Sequence, residues 1–306
     1  IVTGVQTCAL PIWTPYYYIG RGEWQPYSAN EGVVGNDDIA INEANFPDES
    51  FRNWLLSQNY GKDAILTNAE IQNVTSIDVH GTGIQSLQGI EYFTALEVLY
   101  CYSNQLTSLD LSKNMKLQLL GCGYNQFTSL DLSKNAELQE LYCYDGLLTS
   151  LEISGCTALT RLDCSNNQLT TLDISGCTAL TRLECYDNQL TTLDISKNAA
   201  LTYLDCYDNQ LASLDISKNV ALDTLSCYTN KLASLDVSGC SALKYLSCSR
   251  NQLTSLNVSG CATMVELYCS RNSLVSLDVS KLSSLTDLNC YDNLLTSLDV
   301  SKNTEL

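Results

Sequence analysis

Apolar residues return along most of this chain at a fixed interval of 21 positions. From residue 96 onwards each unit has leucines three positions apart, such as Leu96 and Leu99, then a cysteine such as Cys101 and a further leucine such as Leu106. This period predicts a solenoid, in which each unit forms one coil and buries its apolar side chains against the next. The cysteines of this column stand at positions 101, 122, 143, 164, 185, 206, 227, 248, 269 and 290.

Each unit also alternates on a shorter scale. Leu99 and Cys101 alternate with Tyr100 and Tyr102, and the segment Leu109-Asp110-Leu111 alternates in the same way. A period of two predicts strands with one buried face. We therefore expect a mainly β repeat solenoid with two short parallel strands in each 21-residue coil. Because stacked strands lie about 4.8 Å apart, both faces would be equally spaced, which predicts a nearly straight rod.

The unit resembles the leucine-rich repeat. The segment from Leu96 to Leu106 reads LxxLxCxxNxL, and the segment from Leu106 to Leu111 resembles the short bacterial class with 21-residue units. An earlier 22-residue unit, which includes Val74, Ile77 and Val79, is similar to internalin repeats. The resemblance implies a secreted or cell-surface bacterial protein that binds another protein and has no enzymatic activity.

The chain before the repeats divides into three segments. Residues 1–12 match a translated sequencing adapter and are expected to be an artefact. Residues 13–38 are rich in aromatic residues and have no defined fold assignment. Residues 39–73 are predicted to form a helix-loop-helix cap over the first coil, with a capping box that begins at Thr67. Residues 74–306 form the solenoid, which is expected to belong to a fragment truncated at its C-terminus.

Charge and composition narrow the possible functions. The chain has 34 acidic and 16 basic residues and a net charge of -18, which disfavours binding to nucleic acid. No apolar run approaches the roughly 18 residues of a membrane-spanning helix. The only histidine is His80, and the sequence has no phosphate loop, nucleophile elbow or zinc helix. We therefore expect a non-enzymatic protein without a cofactor.

The cysteine column has three possible interpretations. Stacked thiols cannot surround one metal ion as a tetrahedron, and strand spacing is wider than a disulfide prefers, so small apolar filler is the favoured interpretation. Four further cysteines replace asparagine in a turn that reads SGC in place of SKN. They either form disulfides between adjacent coils or take the place of the asparagine. These are Cys156, Cys177, Cys240 and Cys261.

Two further columns have structural explanations. Asparagines such as Asn104 are expected to bond backbone groups of the neighbouring coil. Acidic residues such as Asp110 form a column on the second strand, which we interpret as a solvated surface, with calcium binding as the alternative.

A tyrosine column on the first strand is the candidate binding site. Tyrosine is enriched at protein interfaces, although it also suits strands for purely structural reasons. We expect the centre of the site at Tyr186, Tyr207 and Tyr228, and a protein as the partner. The alternatives are a carbohydrate ligand, stacked on the rings, and a passive spacer. The candidate residues are Tyr102, Tyr144, Tyr186, Tyr207, Tyr228, Tyr291, Asp187 and Asp208.

One weak calcium site is predicted in the cap. Asn59, Asp63 and Glu70 fall at places 1, 5 and 12 of a loop that resembles an EF-hand. Gly61 stands where a ligand belongs and Ala64 where the loop glycine belongs, so the pattern is degenerate. A cap without an ion is the alternative.

Overall fold

The computed structural model describes residues 38–306 and the backbone of two strands, Tyr16–Tyr18 and Trp24–Pro26, which pair antiparallel. The adapter-like segment 1–12 lies outside the described residues, as does most of segment 13–38.

One parallel sheet, here called the main sheet, runs the length of the described solenoid and has eleven strands. Each coil contributes three residues, and the central apolar residues align in register, so that Leu162 lies between Leu141 and Leu183. The predicted repeat solenoid with parallel strands is confirmed. The strands are Ser76–Asp78, Val98–Tyr100, Leu119–Gly121, Glu140–Tyr142, Arg161–Asp163, Arg182–Glu184, Tyr203–Asp205, Thr224–Ser226, Tyr245–Ser247, Glu266–Tyr268 and Asp287–Asn289.

The prediction of a second strand in every coil was wrong. In the described coils such strands occur as two parallel pairs, Ser129–Asp131 with Ser150–Glu152 and Ser234–Asp236 with Ser255–Asn257. Elsewhere the second half of the coil is irregular, as at residues 109–111. At the two strand pairs the second halves of neighbouring coils share backbone hydrogen bonds, such as that from the Leu132 N–H to the Glu152 carbonyl oxygen at 2.8 Å.

The core is a stack of leucine layers with the cysteine column inside it. Cys101 to Cys269 of this column are buried, and Cys290 in the last coil is partly exposed. Burial raises the pKa of the Cys101 and Cys227 thiols to about 12, so these groups stay protonated and unreactive. This environment agrees with the filler interpretation.

The SGC cysteines act as hydrogen-bond donors in place of asparagine. The Cys156 thiol lies 3.3 Å from the Leu132 carbonyl oxygen, where Asn135 in the preceding coil donates to the Leu111 carbonyl at 3.1 Å. All four SGC cysteines are free thiols in this structure. At Gly155 a Cβ would lie 2.0 Å from the Ser133 carbonyl oxygen, so the tight approach of these coils requires glycine beside the cysteine. Gly239 has open space instead.

The asparagine column forms hydrogen bonds with backbone groups of neighbouring coils. Asn209 donates from Nδ2 to the carbonyl oxygens of Cys185 and Cys206 at 3.0 and 3.2 Å, and its Oδ1 accepts from the Leu190 N–H at 2.9 Å. The same three bonds recur with Asn188, one coil earlier. A buried side chain thus satisfies three backbone groups that the short strands leave unpaired.

The N-terminal cap contains two helices, as the sequence indicates. The first, Glu49–Ser57, begins after Asp48, whose Oδ1 accepts from the Phe51 N–H at 2.9 Å. The other oxygen of Asp48 accepts from the N–H groups of Gln85 and Ser86, which ties the cap to the first coil.

The second cap helix, Asn68–Ile71, begins with the predicted capping box of Thr67 and Glu70. A short strand pair that the sequence did not indicate, Ile39–Ala40 with Ile65–Leu66, and a 3-10 turn at Ile90–Tyr92 complete this end.

Replacement of Asn209 by alanine should destabilise the solenoid. The change leaves the Leu190 N–H unpaired inside the structure and removes one of the two asparagine donors from each of the Cys185 and Cys206 carbonyl oxygens, which we expect to cost about 1 to 3 kcal/mol. The urea midpoint measured by circular dichroism tests this, with the exposed neighbour change Gln210→Ala as the matched control. Equal midpoints for the two variants would show that the column is dispensable.

Candidate binding face

Three columns of side chains cover the exposed side of the main sheet. In one coil they are Tyr203, Asp205 and Tyr207, which alternate with the buried Leu204 and Cys206. Because the coils are in register, residues 21 positions apart lie side by side. We call this surface the binding face, and the columns first, second and third in chain order.

Three predicted residues in the third column form a continuous tyrosine stack. The ring centroids of Tyr186 and Tyr207 are 4.4 Å apart and those of Tyr207 and Tyr228 are 4.3 Å apart, with interplanar angles of 9° and 10°. Burial and the neighbouring hydroxyls raise the pKa of Tyr207 above its usual range, so it stays neutral. Because Tyr207 has a ring on each side, it presents its edge and hydroxyl rather than an open face.

The other predicted tyrosines do not join this stack. Tyr102 stacks on His80 at 4.7 Å, Tyr144 meets Tyr124 edge to face at 5.6 Å, and Tyr291 lies near the far end of the face. Small residues separate these groups within the column, so the structure brings together only the expected centre. The interrupting residues are Gly123, Ser165, Ser249 and Ser270.

Asp187 and Asp208 have a backbone role that the sequence did not reveal. Their φ angles are 49° and 46°, in the left-handed region, and the equivalent residue of the other coils from Ser103 to Asp292 is also left-handed. Aspartate and asparagine tolerate this conformation better than most residues. The two carboxylates still add negative charge beside the stack, and burial together with Asp208 and Asp145 raises the pKa of Asp187.

Two arginines lie flat on the binding face next to the stack. The Arg182 guanidinium is 3.6 Å from the centroid of the Tyr203 ring, and its Nε is 2.7 Å from Glu184 Oε1. Arg161 lies 5.0 Å from the Tyr142 centroid, and its Nη2 is 3.5 Å from the same Glu184 oxygen. These contacts neutralise the Glu184 carboxylate within the chain.

A shallow depression of about 440 Å³ follows immediately along the face, and we call it the Asp205 depression. Asp205 Oδ1 is buried without a hydrogen bond of good geometry to a described residue, Oδ2 lies 3.4 Å from the Tyr203 hydroxyl, and the Ser226 side chain is close enough to lower the pKa of the carboxyl. Burial, with a contribution from the Glu184 charge, raises the pKa of Asp205 to about 6. The lining residues are Tyr203, Asp205, Tyr207, Thr224, Ser226, Tyr228 and Tyr245.

Sequence analysis did not select Asp205, Tyr203 or Tyr245. The signal that could have identified the depression is Thr224, a small residue in a column that also contains Arg182, Tyr203 and Tyr245. The depression exists because Thr224 is short, and periodicity alone does not rank one exposed position above another.

The weak calcium site is not assembled in the structure. Asn59 Oδ1 accepts from the Lys62 ammonium at 2.8 Å, and Asp63 Oδ1 accepts from the Ile65 N–H at 3.2 Å. Glu70 is used in the capping box. Among the described residues no group of three or more His, Cys, Asp or Glu side chains could hold a metal ion.

The acidic column on the second face also has a local explanation. Asp110 Oδ1 accepts from the Ser112 N–H and Asp131 Oδ1 from the Ser133 N–H, both at 2.9 Å. These bonds lower the pKa of both carboxyls. The acidic column therefore stabilises turns through these hydrogen bonds and also presents charge to the solvent.

Comparisons with known proteins agree with this architecture. A model of leucine-rich repeats in two copies matches residues 157–198. The solved functional domain of InlJ from Listeria monocytogenes, described as including a cysteine ladder, superposes with a TM-score of 0.80 and 36% identity over 88% of this chain. The chain has a leucine-rich-repeat fold and is similar to internalins.

The internalin-like chain spans only part of these relatives. It covers 60% of the InlJ structure, and Internalin J of L. monocytogenes strain F2365 is 36% identical over 76 residues, which is 8% of that protein. A leucine-rich-repeat protein of Leptospira interrogans matches with a TM-score of 0.61 at 22% identity over 76% of this chain and 70% of that one, which shows the shared fold. None of the described helices is long and apolar enough to cross a membrane.

The change Asp205→Asn should stabilise the protein at pH 7. A carboxyl whose pKa is higher in the folded than in the unfolded chain destabilises the fold as pH rises through the window from about 4 to about 6. We expect a gain of about 1 to 2 kcal/mol at pH 7 after solvent screening, and none near pH 4. Urea unfolding at both pH values measures it. A gain that is independent of pH would contradict the assignment.

The change Thr229→Asn should also stabilise the fold. Thr229 has φ 51°, and a β-branched side chain is strained there, whereas asparagine is tolerated. We expect a gain of about 0.5 to 1 kcal/mol by thermal unfolding. The same exchange at the exposed Thr170, where φ is not positive, is the control and should give no gain.

Proposed function

We propose that this chain is a non-enzymatic binding module and that its binding face, centred on the tyrosine stack and the Asp205 depression, binds another protein. The observation that supports this most directly is Asp205, whose oxygen is buried and unpaired beside rigid aromatic side chains. A buried, incompletely paired carboxylate costs stability, as expected of a residue retained for binding.

Aromatic and acidic side chains on a rigid frame suit protein recognition. The three stacked tyrosines are already held in place, so little side-chain entropy is lost when a partner covers them. The net charge of -18 favours a partner with a basic surface, through faster association. A plant peptide hormone receptor solved in complex with RGF2 has a similar repeat structure, with a TM-score of 0.59 and 25% identity, and covers 71% of this chain.

The geometry of the stack favours a protein over a carbohydrate. A sugar ring stacks on an open aromatic face, but both faces of Tyr207 are covered by neighbouring rings at 4.4 and 4.3 Å. A passive spacer has no need for a buried carboxylate without a partner. Resemblance to internalins supports a secreted or surface location, where such a partner would be met.

The change Tyr207→Ala should abolish partner binding. The wild type, immobilised, is used to capture surface proteins from candidate host cells, and each captured protein is purified and measured by surface plasmon resonance. Removal of the central ring should weaken a true partner by about 30-fold or more, since central aromatic residues dominate interface energies. Circular dichroism confirms that each variant is folded.

Two matched variants make the result specific. Tyr207→Phe keeps the stack and should retain most of the affinity, and Asp236→Asn alters an acidic residue on the opposite face and should have no effect. A glycan-array signal lost with Tyr207→Ala would favour the carbohydrate alternative instead. Binding to neither proteins nor glycans would favour the alternative that the chain is a passive spacer.

A further inference from the structure

We propose that the Asp205 depression receives an arginine side chain of the protein partner. This inference rests on the proposed function and names the chemistry that the binding face recognises. It follows from how the chain fills the adjacent part of the same face with its own arginines.

Arg182 provides an internal template for the occupant. Its guanidinium stacks on Tyr203 of the next coil at 3.6 Å and donates to Glu184 of its own strand at 2.7 Å. A planar cation on a tyrosine ring beside a carboxylate is therefore a stable arrangement on this surface. Arg161 combines the same two kinds of partner in a different arrangement, with Tyr142 of the preceding coil at 5.0 Å and Glu184 of the next coil at 3.5 Å.

The tyrosine of the next coil recurs two coils later, where Thr224 takes the place of the arginine and Ser226 that of the carboxylate. Thr224 stands 42 positions after Arg182, and Tyr245 is placed relative to Thr224 as Tyr203 is relative to Arg182. The Thr224 hydroxyl bonds the Asp223 carboxylate at 2.8 Å, so this side chain does not fill the depression. The carboxylate at this site is that of Asp205, on the strand that pairs with Thr224–Ser226.

Charge and shape select the guanidinium among possible ligands. Asp205 and the nearby Glu184, Asp187 and Asp208 disfavour any anion. The Asp205 carboxylate lines the depression and accepts only a long bond from the Tyr203 hydroxyl at 3.4 Å, so a guanidinium can supply a stronger donor while its plane lies against a tyrosine. The lysine ammonium is compact and strongly hydrated, so it gains less from a shallow aromatic site.

Binding of short peptides tests the proposal without the natural partner. Acetyl-Gly-Arg-Gly-amide is titrated into isotope-labelled protein and followed by NMR, alongside the lysine peptide and the uncharged citrulline peptide. We expect saturable, millimolar binding of the arginine peptide, with shifts at residues that line the depression. The lysine peptide should bind several-fold more weakly, and the citrulline peptide should not bind measurably.

Three variants assign the binding to the depression. Thr224→Arg should abolish binding, because the new side chain would occupy the depression as Arg182 covers Tyr203, and Asp205→Asn should weaken it about tenfold by loss of a charged acceptor. Asp236→Asn, on the opposite face, should bind as the wild type does. Undiminished binding to Thr224→Arg, or equal binding of arginine and citrulline peptides, would overturn the proposal.

The outcome is separable from that of the proposed function. If Tyr207→Ala abolishes capture of a protein partner but Thr224→Arg does not weaken it, the face binds protein and the arginine inference fails. If the peptide binds as expected but no protein partner depends on Tyr207, the proposed function fails while the local chemistry stands.

Discussion

The hydrogen bonds that join one coil to the next are the interaction on which the rest of this structure depends. A strand of three residues satisfies few backbone groups, so asparagines such as Asn209 complete the pairing from inside the coil, with four bonds to backbone groups. This locks successive coils into one register. The leucine layers and the cysteine column then align because the backbone repeats, and the small thiol fits where the coil turns towards its asparagine. The cap uses the same principle when Asp48 bonds the backbone of the first coil.

Because the backbone frame is rigid, the exposed columns are free to differ between coils. The carboxylates that lack full pairing within the chain concentrate in one part of these columns. Glu184 is neutralised by two arginines of the chain, whereas Asp205, one coil later, keeps a buried oxygen without a hydrogen bond. The two carboxylates occupy equivalent positions on paired strands, so backbone geometry does not explain the difference. It arises from the first column, where arginine gives way to tyrosine and then to threonine. The local chemistry of this surface is thus set by the size of neighbouring side chains.

Much of the fold follows from sequence because each local signal has one dominant cause. The period of 21 indicates the solenoid, and Thr67 with Glu70 indicates the start of a helix. The second strands were overpredicted. Leu109-Asp110-Leu111 has the alternation of a strand but lacks a neighbour at bonding distance. The spacing between coils is a property of the whole rod, so the pattern within one coil does not reveal it. The left-handed turn at Asp187 escaped notice because aspartate also suits a charged surface. At the site, the tyrosine stack was predictable from identical residues in register. The Asp205 depression was not, because it depends on the space that the short Thr224 side chain leaves open.

The two kinds of cysteine show how a repeat protein separates structure from surface chemistry. The SGC cysteines donate one weak bond where asparagine donates two, yet they bring no second polar atom, and buried asparagines such as Asn135 leave their Oδ1 without a partner. Loss of a donor is therefore offset by removal of an unsatisfied acceptor. Such exchanges keep the inter-coil spacing intact on the side away from the main sheet. Because the spacing between coils is preserved, the binding face can retain a destabilising residue such as Asp205 without loss of strand register. The side chains of this face can therefore change one coil at a time.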